Sequence, residues 1–293
     1  MYKTSKYVVV GVARNVSGTI KSDIERIMHA IPSKNVKWFI VESDSTDETV
    51  KKLEILKKEL ENFNYISMGE LSLNMKERVQ RISFCRNVYL NEVKTNSLYN
   101  DVEYVVVADL DGLNSDINRE AFDSCFVRCD WAACTANQVD CYYDIFALRH
   151  DSWNPGCVFS QIKFIERYPN SEFKGNLTSS LVYSKMIKIP ADAPWIEVDS
   201  AFGGIALYRK EFFVLGSYNY LDKNGEICCE HVNFHEEISR HGGRIFINPA
   251  FINAKNTEHD RYAFRHDTVR PIKRIYKSLK KRMNMIKLWF SWS

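Results

Sequence analysis

Two carboxylates, Asp109 and Asp111, stand one residue apart at the end of the apolar run Tyr104-Val105-Val106-Val107-Ala108. An unbroken apolar run of this length between polar residues predicts a strand buried on both faces. On extended backbone, side chains two positions apart point to the same side, so the pair can share one hard divalent cation, Mn2+ or Mg2+. Such a cation can neutralise a diphosphate. In an open α/β sheet, ligands collect outside the C-terminal ends of the strands, which is where both aspartates fall. An Asp-x-Asp triplet followed by Gly112 and Asn114 is also ordinary turn chemistry, so the assignment rests on the rest of the chain.

The elements that must position this pair alternate as a parallel sheet with crossover helices requires. Tyr7 to Val12 reads as a first strand, Ile20 to Ile31 as a helix, and Trp38 to Glu42 as a second strand. Ser45 followed by Glu48 has the spacing of a capping box, predicting a helix from there to about Asn62 with Val50, Leu53, Leu56 and Leu60 facing inward. A short strand near Tyr65 to Met68 follows, then a helix from about Met75 to Val93 with Val79, Ile82, Tyr89, Leu90 and Val93 on one face. Together with the aspartate strand these make a nucleotide-binding half over residues 1–114. Beyond it, a helix near Asn118 to Phe126 and a strand from Trp131 to Ala136 lead into an aromatic-rich stretch, Cys141 to His150. Residues 154–190 carry turn chemistry at Pro155-Gly156, Pro169-Asn170-Ser171 and Lys174-Gly175-Asn176, and read as an insertion.

Composition narrows the class. The 293 residues suffice for one large α/β domain, and no apolar run approaches the length that spans a bilayer. The opening residues lack a secretory pattern, and the eight cysteines follow no zinc spacing, so the expectation is reduced thiols in a cytosolic protein. The formal net charge of +3 hides an asymmetry: residues 270–293 hold eight basic side chains and no acidic one, leaving the remainder net acidic.

Read in order, the chain resembles a GT-A fold glycosyltransferase of the family 2 type. Val41-Glu42-Ser43-Asp44-Ser45-Thr46-Asp47-Glu48-Thr49 is similar to the second-strand signature whose acidic residues contact the nucleoside base, and Asp109-Leu110-Asp111 to the metal-binding DxD. Ala201-Phe202-Gly203-Gly204 resembles the glycine loop beside the donor sugar. The block from Cys229-Glu230-His231 through Gly242-Gly243 to Pro249 resembles the acceptor-side helix, and His259 stands where such enzymes carry a third metal ligand. A closer likeness, over residues 5–260, is to the fungal capsule-associated mannosyltransferases, through Tyr142-Tyr143-Asp144 to Arg149, Val198 to Gly204, and Cys229-Glu230-His231. Two departures stand out: Ser43 separates Glu42 from Asp44, and His231 replaces the aspartate that acts as base in many inverting members.

The resemblance implies an α/β GT-A domain over residues 1–268, with a nucleotide-sugar half (1–114) and an acceptor half (115–268) in one mixed sheet. It implies a donor side formed by Ala13, Arg14, Glu42, Asp44, Arg86, Asp109, Asp111, Gly203 and Gly204, and a metal set of Asp109, Asp111 and His259. Asp144 and Arg149 would grip sugar hydroxyls or form a buried salt bridge, and Arg81 with Arg86-Asn87 would face the diphosphate or sugar, or solvate a helix face. An inverting displacement needs a base for the acceptor hydroxyl, for which Glu230 and His231 are placed; a retaining one needs neither. The expected donor is GDP-mannose or a UDP-hexose, and the acceptor a saccharide or lipid-linked glycan.

The tail adds a partner. Ile272, Ile275, Tyr276, Leu279, Met283, Ile286 and Phe290 form a helical stripe opposite the basic residues, with Trp289 and Trp292 at the end. Residues 269–293 thus read as an amphipathic helix lying on an anionic membrane surface, placing a peripheral enzyme at the inner face of a membrane. A sugar nucleotidyltransferase would need a glycine-rich phosphate loop after the first strand, and Gly11-Val12-Ala13-Arg14-Asn15 is too poor in glycine. A nucleic-acid partner would leave the paired aspartates unexplained, and none is assigned.

Overall fold

Tyr7-Val8-Val9-Val10-Gly11-Val12-Ala13 forms β1 (Tyr7–Ala13), and all of it except Val12 is fully buried, because helices cover both faces of the sheet it sits in. The computed structural model describes residues 2–34, 36–168 and 180–255. Chain order then runs α1 (Ile20–Ala30), β2 (Val36–Glu42), α2 (Thr49–Glu59), β3 (Phe63–Ser67), α3 (Arg78–Thr95), β4 (Tyr104–Ala108), α4 (Arg119–Asp123), β5 (Ala133–Gln138), α5 (Val158–Glu166), β6 (Ile196–Val198), β7 (Ile205–Arg209), α6 (Lys210–Phe213), α7 (Glu230–Arg240) and β8 (Ile245–Ala254). His259 and the proposed helix 269–293 lie outside the described residues, as do the turns at Pro169 to Ser171 and Lys174 to Asn176.

Among the described residues, eight strands join in one sheet, in the order β3-β2-β1-β4-β7-β5-β8-β6. The first four pair in parallel. Strand β7 then runs antiparallel between β4 and β5, so the strand bearing the aspartates is sealed on its open side by a strand from the second half of the chain. The alternation along β1 sorts the core: Val8 and Val10 face a layer with Tyr89, Leu90 and Val93 of α3 and Phe234 and Ile238 of α7. Tyr7 and Val9 face Ile20, Ile24 and Ile27 of α1 and Leu53 and Leu56 of α2. The two layers clamp β1 and β4 and leave only their C-terminal ends open.

Two expectations need correction. The capping box at Ser45 and Glu48 does not form. Ser45 Oγ accepts from Asn15 N at 3.1 Å, so it is engaged by the loop after β1, and α2 begins at Thr49, whose N–H donates to Asp47 Oδ1 at 2.9 Å. With the helix entered this way, Leu53 and Leu56 are buried but Val50 turns to solvent. The segment 154–190 is not a loose insertion where it is described: Val158, Val182 and Ile189 pack into the α3-side core, and the buried Asn154 donates to Ile145 O and Leu148 O at 2.9 and 2.8 Å. The apolar residues Val158, Val182 and Ile189 anchor it.

Because Leu53 is completely buried and Val50 is not, Leu53→Ala is expected to lower the unfolding free energy by about 3 kcal/mol and Val50→Ala by less than about 0.5 kcal/mol, measured by urea denaturation.

Candidate active site

The C-terminal ends of β1, β2 and β4 open onto one crevice. Strand β4 is followed directly by Asp109, whose N–H donates to Gly204 O at 2.9 Å, so the Asp109–Asp111 turn and the glycine loop are joined directly. Both Gly203 (φ +75°) and Gly204 (φ +88°) are left-handed, and a Cβ on Gly203 would come within 2.7 Å of Ala136 O. Three fully buried amides fix the loop: Gln138 Nε2 and Asn253 Nδ2 donate to Gly203 O at 3.0 and 2.9 Å, and Asn114 Nδ2 donates to Asp109 O at 2.6 Å. Asp144 completes the clasp by accepting from Gly203 N at 3.1 Å. Its role here is to hold the glycine loop. Arg149 likewise spends its guanidinium internally, donating to Leu148 O at 2.6 Å and Phe146 O at 3.2 Å, and the two side chains share no ion pair.

Arg86 lies at the centre. From α3, only 4% exposed, it donates Nε to Glu230 Oε1 at 3.0 Å, Nη1 to the Tyr89 hydroxyl at 2.9 Å, and Nη2 to Asp109 Oδ1 at 3.5 Å. The Phe202 and Tyr218 rings flank it, at 5.1 and 5.7 Å from the guanidinium carbon. Asn87 Nδ2 donates to Tyr218 O at 2.7 Å and its Oδ1 accepts from Tyr218 N at 3.0 Å, so this flanking ring is held by α3 as well. Burial opposes the charge on Arg86, yet Tyr89, Glu230 and Asp109 outweigh it and hold the group well above its ordinary range.

The carboxylates around it are in excess. Burial pushes Asp109 up to about 7, against the pull of Arg86, and Asp111, Asp144 and Glu230 push the same way. Asp109 is half-buried and Asp111 exposed at the mouth. Such an accumulation of like charge suits a divalent cation at the Asp109–Asp111 pair. Among the described residues, no three His, Cys, Asp or Glu side chains converge on a cation position.

The second-strand acidic residues divide their work. Glu42, 1% exposed, is fully committed: Oε1 accepts from Ser45 N at 2.9 Å and Oε2 from the Ser67 hydroxyl. Asp44, in left-handed backbone (φ 58°), accepts from Ser72 N at 2.8 Å through Oδ1, while its buried Oδ2 has no hydrogen-bond partner and lies 3.6 Å from Arg81 Nε. Burial raises Asp44, but the donors on Ser72 and Ser43 and the Arg81 charge prevail and keep it below the usual carboxylate range. Arg81 is turned to this loop, donating to Met75 O at 2.6 Å, rather than to the aspartate strand. Ala13 is buried at the end of β1, and the exposed Arg14 donates Nε to Asp44 O at 3.3 Å.

His231 is 2% exposed and stacked on Phe202 with centroids 4.0 Å apart, and neither ring nitrogen has a hydrogen-bond partner. Burial first, then Arg86 and His235, drives it far below the ordinary histidine range, so it is neutral.

Sequence reasoning missed Asp23. It sits on the apolar face of α1 between Ile20 and Ile27, fully buried, and Oδ2 accepts from Gly112 N at 2.8 Å, directly beneath the DxD turn. The only signal in the sequence is an acidic residue in phase with an apolar stripe. It missed Tyr218 and Asn253, and saw Phe202 only as part of the glycine loop, because their partners are remote in the chain.

No protein-family model matches this chain, and no curated protein does. Among solved structures, the mannosyltransferase PcManGT from Pyrobaculum calidifontis, in complex with GDP-Man and Mn2+, is similar at 15% identity and TM-score 0.50, over 86% of this chain and 57% of that one. S. aureus TarS 1-349 matches at 13% identity and TM-score 0.46, over 88% and 62% of the two chains. GalNAc-T7 with UDP, GalNAc and Mn2+ matches at 14% identity and TM-score 0.42, over 87% and 45%. This chain thus spans less than two thirds of the length of each of these structures. The eight-stranded mixed sheet and the PcManGT likeness define the fold as GT-A.

Burial is the main cause that raises Asp23 to about 6, with Asp111 adding to it and the Gly112 N–H opposing it. A carboxyl whose folded value is raised contributes stability below its unfolded value that is lost as pH rises through the folded one. Asp23→Asn keeps an acceptor for Gly112 N–H without the charge. It is therefore expected to be more stable than the parent by on the order of 2 kcal/mol at pH 8, with the gain vanishing by about pH 4, measured by denaturation across that range.

Proposed function

We propose that this chain is a metal-dependent glycosyltransferase that moves a hexose from a nucleoside diphosphate sugar to a saccharide or lipid-linked acceptor in surface glycan synthesis. The observation that carries the reading is the carboxylate excess at the sheet's C-terminal edge, where Asp109 and Glu230 both pair with the Arg86 guanidinium and Asp111 and Asp144 add negative charge at Asp109, beside a glycine loop. Asp109 and Asp111 would hold Mn2+ or Mg2+, with His259 as the third protein ligand that the sequence resemblance implies. The bound ion supplies charge neutralisation for the departing diphosphate.

The chain's own residues would do the rest. Asp44 would be the second-strand carboxylate that meets the nucleobase, as the sequence resemblance implies, since Glu42 is committed to Ser45 and Ser67, and Arg14 lies beside it. The proposed donors are GDP-mannose first and UDP-hexoses second. The GDP-Man bound to PcManGT and the capsule-mannosyltransferase resemblance support the same order. Gly203 and Gly204 let backbone approach the donor sugar.

For the acceptor, Glu230 is better placed than His231. Arg86 fixes Glu230 Oε1, while Oε2 has only the weak Cys229 Sγ contact at 3.7 Å and is available to a hydroxyl proton. A histidine held so far below neutrality is a weak base. His231 serves to keep water from the Arg86–Glu230 pair. Transfer requires this acid-base arrangement if the anomeric configuration inverts.

One nucleotide sugar is expected to raise the melting temperature only with Mn2+ present. Asp111→Asn, a change at an exposed position, should abolish that Mn2+ dependence without lowering the melting temperature of the free protein. A shift independent of Mn2+ removes the metal from the reading, and no shift with GDP-, UDP-, CMP- or dTDP-sugars removes the reading itself.

None of the helices among the described residues is long and apolar enough to cross a membrane. We assign membrane contact to residues 269–293 and the enzyme to the inner face of the membrane. Deleting residues 270–293 should reduce binding to anionic vesicles at least about tenfold in a sedimentation assay. Unchanged binding removes the membrane partner.

A further inference from the structure

Outside the crevice, two thiols meet. Cys157 is the residue preceding α5, partly exposed, and Cys228 is 3% exposed in the turn leading to α7. Both are free, and the Cys228 thiol donates a hydrogen bond to Cys157. The Cys157 thiol itself donates to Ile227 O at 3.6 Å, which seats it against the residue preceding Cys228, and the Ser160 N–H and hydroxyl point to it from the first turn of α5. Arg149 Nη2 reaches Cys228 Sγ at 3.7 Å, so a buried cation borders the pair. The hydrogen bond from Cys228, the Ser160 donors and the Arg149 charge hold the Cys157 thiol well below the ordinary cysteine range, against burial, while the same shared hydrogen bond and burial push Cys228 up.

A reactive cysteine needs a stabilised thiolate, access for the reagent and a second thiol to resolve the product. The other cysteines lack one of these. Cys125 and Cys134 also contact each other but are fully buried, and Cys129 is exposed with no thiol bonded to it.

We propose that Cys157 and Cys228 form an oxidation site, Cys157 being the attacking thiolate and Cys228 the resolving thiol. The co-reactant is a low-molecular-weight disulfide. The Cys157 thiolate attacks one of its sulfurs, forming a mixed disulfide and expelling one thiolate, which takes up a proton. Cys228 then gives up its proton, attacks the Cys157 sulfur and expels the second thiolate. The two protein thiols are oxidised by two electrons and the external disulfide is reduced to two thiols. The new bond ties the start of α5 to a residue two positions before Glu230, so oxidation would act on the turn that carries the Arg86 partner.

The site can be tested on the full chain with oxidised glutathione, followed by alkylation and tryptic digestion without reductant. Cys157 lies in peptide 150–163 and Cys228 in peptide 224–240. The expected product is these two peptides joined, two hydrogens lighter than their sum, with fragmentation placing the bond at Cys228 rather than Cys229. In Cys228→Ser the reaction should stop at a glutathione adduct on Cys157. Glutathione on Cys129 with Cys157 still fully alkylated, or a lasting adduct on Cys157 in the parent protein, overturns the proposal; both are read on the parent chain and need no variant to fold.

Discussion

Arg86 is a guanidinium taken out of water and surrounded by groups that only it can reconcile. Desolvating such a cation costs several kcal/mol, and the cost is offset only where geometry is good and the remaining donors are satisfied. Here Glu230, Asp109 and Tyr89 each accept from a different nitrogen, and the Phe202 and Tyr218 faces close the two sides. The partners come from α3, β4, α7 and the loops before β7 and α7. One side chain of α3 thereby sets the distance between the end of β4 and the start of α7. Without it, Asp109 and Glu230 would repel across a low-dielectric gap, and the crevice would have no fixed width.

That arrangement explains which parts of the protein were legible in its sequence. Strand identity depends on local apolar runs, and Tyr7 to Val12, Trp38 to Glu42 and Tyr104 to Ala108 stand out because a strand covered on both faces has no polar phase to interrupt it. The position of Asp109 and Asp111 was legible for the same reason: two charges terminating such a run have nowhere to go but the sheet's end. The helix start at Thr49 was not, since Ser45 has a partner after β1 that no local pattern reveals. Arg86 was picked out, but as a group free to meet a diphosphate. Its commitment to Glu230, 144 positions away, is a tertiary fact.

Polar residues inside strands carried a signal of a different kind. Asn137 and Gln138 of β5 and Asn253 of β8 are fully buried, and a buried amide is tolerated only when its hydrogen bonds are met. The β5–β8 pairing shifts register between Thr135 and Asn137 and again between Asn137 and Gln138. The irregularity turns Gln138 toward Gly203 O, where Asn253 also donates, while Asn137 Nδ2 donates to Ile189 O and Pro249 O at 3.0 and 3.1 Å. Amides at the ends of neighbouring strands thus mark the place where a regular ladder gives way to a built loop.

The same logic accounts for Asp23. A carboxylate inside an apolar helix face is held at a cost in stability, since burial resists its charge and Asp111 adds repulsion. Its one strong contact is the Gly112 N–H, at the turn that aims Asp111 outward. An alanine there would pack against Ile20 and Ile24 at no electrostatic cost, but it would leave that N–H without an acceptor and the turn without an anchor. The position is therefore better explained by what it holds than by what it stabilises, and the crevice is the part of the fold in which local stability is given up for geometry.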